Sequence, residues 1–200
     1  FGKSAVMRIF LAVAFAMLTV FYGIYFAKQV AMRSAGIRPD RLGRGEKPRR
    51  VLLSERVLAA VTVLTAVGQY VTLLSGGRFL LLAAPHPAWQ VAGSVVGTVG
   101  VLYFAVAVSA MKTNWRAGID AGERTELVET GIYRFSRNPA FVGFDLLYAG
   151  FAMMWPSWPV IVLSVAAAIL LHLQVLHEEE YLTARFGEAY RAYRRRTLRY

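Results

Sequence analysis

The chain has 200 residues, 56% of them hydrophobic, and its 23 Lys+Arg against 12 Asp+Glu give a formal net charge of +11. That apolar share exceeds the about 45–50% usual in a soluble domain, so much of the apolar surface is expected to face lipid and the basic excess to lie at a membrane surface, not on nucleic acid. The lack of cysteine excludes disulfides, thiolate metal sites and a cysteine nucleophile.

Residues 5–27 form the first long apolar stretch, interrupted by Arg8 near one end, where a long side chain can reach the interface. The stretch is too long for the apolar segment of a cleavable leader and reads as a first span. Residues 28–56 follow with nine basic side chains: Lys28, Arg33, Arg38, Arg41, Arg44, Lys47, Arg49, Arg50 and Arg56. Pro39, Gly43, Gly45 and Pro48 break regular structure there. A second span is expected over 57–75, a turn at Gly76-Gly77, a short apolar piece at 79–84, and a third span over 88–111. Gly93, Gly97 and Gly100 give that third span a small-residue face suited to close helix packing.

Residues 112–139 are a polar connector. Two more apolar stretches, 141–154 and 160–175, flank Trp155-Pro156-Ser157-Trp158-Pro159, which reads as a turn at the membrane interface. A 14-residue arm rises about 21 Å against a hydrocarbon core of about 30 Å. The pair is therefore expected as a tight hairpin whose polar ends sit in protein or around a cavity. Residues 178–200 have the spacing of an amphipathic helix.

The expected fold class is an all-α integral membrane protein of about five transmembrane helices, the last two a helical hairpin, followed by an amphipathic C-terminal helix. Residues 1–111 are expected to supply three spans, and residues 112–200 one integrated unit of connector, hairpin and helix. Five spans put every basic residue except Lys3, Arg8 and Arg78 on one side. By the positive-inside rule that side is the cytoplasm, with the N-terminus outside and the C-terminus inside.

Four polar clusters carry the possible chemistry. Tyr133-Arg134-Phe135-Ser136-Arg137-Asn138-Pro139 leads into the fourth span, with Pro139 suited to a first helical turn and Asn138 to its cap. Its arginines could anchor to lipid phosphates, or bind an anionic group such as a carboxylate together with free helix-start N–H groups. His177-Glu178-Glu179-Glu180 follows the last span, either as a solvated first turn or as acids that meet the connector arginines across a cavity and hold an ammonium or sulfonium. Tyr190 and Tyr193 share a helical face. Trp115-Arg116 is an interfacial anchor or the lining of a substrate entrance. His172 and His177, five apart, sit far round a helix from each other, so no metal pair is expected. No dinucleotide or phosphate-loop glycine pattern is present, and the basic runs lack a nucleic-acid-reading signature.

Two elements in order are then informative. Leu127-Val128, Gly131, Tyr133-Arg134, Arg137-Asn138-Pro139, Phe141 and Gly143 precede the hairpin, and Glu178-Glu179, Leu182, Phe186-Gly187, Tyr190 and Tyr193 follow it. This arrangement resembles the isoprenylcysteine carboxyl methyltransferase and phospholipid methyltransferase superfamily over about residues 115–200. The resemblance implies S-adenosylmethionine as methyl donor, a pocket built from connector, hairpin ends and C-terminal helix, and a lipophilic acceptor entering from the bilayer. By motif position, Leu127, Val128, Gly131, Tyr133, Arg137, Asn138, Phe141, Glu178 and Glu179 would line the cofactor site, and Arg137, Asn138 and Glu178 would serve the reaction. Trp115, Arg116, Tyr190 and Tyr193 are the residues expected at the acceptor.

Three positions depart from the family pattern. Asn138 and Thr125 stand where it commonly has His, and Phe141 where it often has Tyr. Asn can hydrogen-bond a cofactor but cannot accept a proton at neutral pH. The acceptor is either the carboxylate of an isoprenoid-type compound, which an Arg would place, or a lipid amine, whose proton Glu178 or Glu179 could take. A reductase of the related sterol-reductase type using NADPH, and a non-catalytic lipid-binding scaffold, are the competing expectations. Membrane lipids are expected partners, nucleic acid is not, and the oligomeric state is left open.

Overall fold

The computed structural model describes residues 3–37, 39–45, 47–115 and 126–200. These form six α-helices: α1 Lys3–Ser34, α2 Arg49–Leu74, α3 Pro87–Ala110, α4 Pro139–Met154, α5 Trp158–Phe186 and α6 Glu188–Arg196. A 3-10 turn, Gly131–Arg134, precedes α4. The protein is an all-α membrane protein: α1, α2, α3 and α5 are long and apolar enough to cross a bilayer.

Helix ends follow local punctuation more than hydropathy. α1 runs seven residues past the expected end at Ala27 and stops at Gly36, whose φ of +76° lets the Ile37 N–H donate to the Met32 carbonyl at 3.0 Å. α2 starts directly after Pro48, well before the expected position 57. It ends in the anticipated diglycine turn, where Gly77 N–H donates to Thr72 O at 2.8 Å. At the start of α3 the His86 ring nitrogen accepts from Ala88 N–H at 3.3 Å and Pro87 occupies the first turn.

The last two helices differ from the expected pair of short arms. α4 is short, 16 residues or about 24 Å, but α5 has 29 residues and continues through the acidic run to Phe186. Gly187, at φ +54°, breaks the expected single tail helix, leaving α6 with nine residues. Trp155 is not an interfacial anchor. It is fully buried beneath Gly77, where a Cβ would collide with its ring, while Trp158 is exposed.

The glycine face of α3 packs on α4 as anticipated. A Cβ at Gly100 would lie 2.8 Å from the Gly143 carbonyl, and one at Gly150 would strike the backbone of Gly97. So close an approach brings the aromatic core together: Phe21 of α1 stacks on Phe104 at 4.4 Å and meets Phe144 edge-on at 4.8 Å. α2 packs on α5 instead, where a Cβ at Gly68 would be 3.1 Å from Val160. α1 and α2 stand largely apart, bridged by Tyr22 donating to Gln69 at 2.8 Å and by Thr19 with Tyr70 at 3.4 Å. A cleft opens between them.

Candidate active site

The three consecutive acids of α5 step about 100° each around the helix, so they have three different fates. Glu180 is exposed and sits 3.8 Å from exposed Arg50, a contact worth little in water. Glu179 turns inward and is gripped by two arginines. Arg137 Nη2 donates to Oε1 at 2.7 Å, while Arg199 donates from Nε to Oε1 at 3.0 Å and from Nη2 to Oε2 at 2.9 Å. Glu178 faces a large cavity and accepts one hydrogen bond from Gln174 Nε2 at 3.1 Å.

The fold-back thus joins the two motifs. Tyr193 donates to the Tyr133 carbonyl at 2.6 Å, locking α6 onto the 3-10 turn. Gly131 begins that turn at φ +63°, a conformation that suits glycine. Arg137 was expected to receive an anionic group. Its carboxylate partner is Glu179 of the chain itself, and its other terminal nitrogen donates to the Arg194 and Thr197 carbonyls at 3.0 and 2.8 Å. Asn138 occupies the cap position of α4 but its side chain makes no cap bond there; it donates instead to the Arg199 carbonyl at 3.1 Å.

The cavity measures about 1090 Å³. Leu127, Val128, Tyr133, Arg137, Asn138 and Phe141 line its polar end from the connector side, and Glu178, Glu179, Tyr190 and Tyr193 from the other. Gly131 is not among its lining residues; it shapes the turn behind it. Trp115 does line it, buried and edge-on to Tyr25 at 5.7 Å, and so is not exposed as an interfacial anchor would be. Arg116 and Thr125 lie outside the described residues. The cavity then continues as the cleft between α1 and α2. Thr19, Gly23, Phe26 and Val30 wall one side, and Ala59, Val63, Ala66 and Tyr70 the other.

Burial raises the Tyr190 hydroxyl to about 12, with the Glu179 carboxylate adding to it. Tyr133 is raised by burial and then by Glu178, and Tyr193 by burial and then by Tyr190. These phenols stay protonated as donors across the neutral range. Arg199 is held above its ordinary range by its bonds to Glu179.

A buried network around Glu55, together with Arg199, was not foreseen. Glu55, fully buried on α2, accepts from Lys47 Nζ and Gly43 N–H, each at 2.7 Å, and from Gln174 Nε2 at 3.2 Å. One amide therefore bridges Glu55 and Glu178. The available signal was a lone acid two turns into an apolar helix. As for Arg199, nothing in its local sequence separates it from the other tail arginines. Among the described residues, no three His, Asp or Glu side chains gather as a metal-binding group.

A model of the phospholipid methyltransferase family matches residues 89–189. No curated protein and no solved structure matches the chain.

Proposed function

The chain belongs to the phospholipid methyltransferase family, and we propose that it is an S-adenosylmethionine-dependent enzyme that methylates a small lipophilic acceptor at the cytoplasmic face of a membrane. The family makes it a membrane methyltransferase; donor, acceptor and sidedness are our reading. One observation carries it. Connector, α5 and α6 converge on a polar pocket holding Glu178, and that pocket opens without interruption into an apolar cleft between α1 and α2.

The residues present suit the cofactor. Leu127, Val128 and Phe141 offer apolar and aromatic surface for an adenine ring, and Tyr190 and Glu178 suit a sulfonium and an ammonium. Arg137 lines the same pocket and brings its positive charge, shared with Glu179, to the side where a carboxylate would sit. When bound, the cofactor supplies an electrophilic methyl group. The chain's own task is to align the nucleophile and exclude water.

The α1–α2 cleft takes the acceptor's apolar body and keeps the pocket dry. An acceptor carboxylate arrives ionised and requires placement alone. An amine acceptor must lose a proton, and Glu178 is positioned to receive it, with Gln174 holding its Oε1. Asn138, tied to the Arg199 carbonyl, orients the turn and takes no proton. The cytoplasmic placement of this pocket rests on the basic residues around it.

Calorimetric titration of purified protein with S-adenosylhomocysteine tests the donor, with Glu178→Ala as control. Binding that the variant weakens is expected; absence of binding by the native protein overturns the reading, and binding of NADPH in its place points to a reductase. Mass spectrometry of a lipid extract incubated with labelled cofactor then identifies the acceptor. Cofactor binding with no labelled lipid in any extract would mark a non-catalytic lipid-binding protein.

A further inference from the structure

The segment Thr197–Tyr200 lies beyond the family match, and no motif covers it. Yet the turn that leads into α4 directs four of its polar groups at it. The Arg137 N–H donates to Leu198 O at 2.9 Å, and Arg137 Nη1 to Thr197 O at 2.8 Å. The Ser136 hydroxyl and Asn138 Nδ2 both donate to Arg199 O, at 3.3 and 3.1 Å. In the other direction, the Arg199 guanidinium forks onto both oxygens of Glu179. Further on, the Tyr200 hydroxyl meets His172 Nδ1 on α5. The segment is a strap, clamped to the turn by its carbonyls and to α5 by its side chains.

We propose that Arg199 is a positioning residue of the active site, and that the pocket is complete only while this strap is docked. The inference rests on the reading of the pocket as a cofactor site. Glu179 lines the cavity and carries two guanidinium groups. Arg137 donates to Oε1, and among the described residues Arg199 alone donates to Oε2, which fixes the plane of the carboxylate. Glu179 in turn holds Arg137, which lines the same cavity. The strap therefore sets both sides of the pocket's charged wall. A lysine would keep the charge but lose the two-pronged contact.

The test uses the full chain with Arg199→Ala and Arg199→Lys. Two quantities are read: hydrogen exchange over residues 131–138, which contains the Arg137 amide bonded to Leu198, and calorimetric affinity for S-adenosylhomocysteine. In Arg199→Ala, exchange is expected to quicken and affinity to fall by about tenfold or more, as for loss of hydrogen bonds to a charged group; Arg199→Lys is expected to recover part of each. Unchanged exchange overturns the strap whatever the binding result. Faster exchange with unchanged affinity overturns the positioning role, as does full recovery by lysine. If the native protein binds no S-adenosylhomocysteine, the cofactor reading fails and the claim of a completed pocket falls with it, while exchange still decides whether Arg199 holds the turn. Should Arg199→Ala not fold, Arg199→Lys carries both measurements.

Discussion

Arg137 and Glu179, 42 positions apart, meet at 2.7 Å with side chains 8% and 7% exposed. Buried pairs of this kind punish the loss of one partner, because the other charge stays desolvated. Glu179→Ala leaves both Arg137 and Arg199 without their carboxylate and is expected to destabilise the protein by about 3–5 kcal/mol. Thermal unfolding in detergent measures it. An unshifted midpoint would mean that water or lipid phosphate already compensates the arginines.

Glu55 and Glu178 share Gln174 Nε2, at 3.2 and 3.1 Å. Two sites joined through one amide are expected to couple, by about 0.5–3 kcal/mol in a double-mutant cycle. The cycle uses Glu55→Gln and Glu178→Gln, with methyl transfer as readout. Glu178→Gln alone is expected to slow transfer to an amine acceptor by about 10²–10⁴-fold. Additive effects of the two changes would show that the amide bridge transmits nothing.

The α3–α4 interface has no room. A Cβ at Gly150 would strike the Gly97 backbone, so Gly150→Ala forces the helices apart and is expected to cost about 1–3 kcal/mol. Gly23 on α1 has nothing within 4 Å of a Cβ, and Gly23→Ala is expected to be neutral or stabilising. Midpoints of thermal unfolding for the two variants give the comparison, and equal midpoints would contradict it.

The same open position tests the cleft. Gly23→Leu puts a branched side chain into the α1 wall of the cavity, away from the acidic end. It is expected to raise KM for the lipid acceptor several-fold and leave S-adenosylhomocysteine affinity unchanged. A loss of cofactor affinity instead would place the cofactor deeper in the cleft.

Alkaline pH loosens the α6 contact. Tyr190 ionises near its ordinary 10 when unfolded and near 12 when folded. Between those values the folded state holds more protons, so stability present below pH 10 is lost as pH rises towards 12. Tyr133 and Tyr193 are shifted the same way. Unfolding midpoints are therefore expected to fall above pH 10, and less steeply in Tyr190→Phe. A midpoint that is flat with pH would contradict the burial of these phenols.

The existence of the helices was legible because apolar runs bounded by glycine and proline are local features. Their ends were less so. Hydropathy reports where lipid ends, whereas α1 continues to Ser34 because its backbone bonds do not depend on lipid and stop at Gly36. The acidic run was legible as a motif, but its position inside α5 was not, since the break comes later, at Gly187.

The sequence by itself determined a basic, cysteine-free, all-helical membrane protein, a glycine face on α3, and two motifs that belong together. Only the tertiary structure decided which charges pair. Glu179 took the arginines, Glu178 the cavity, and Glu55 joined from α2, 119 positions from Gln174. The reason is physical. Hydrophobicity and helical period are read along a few turns, but a buried charge finds its partner through helix crossings, and those are set by how closely α3 meets α4 and where α2 lies on α5.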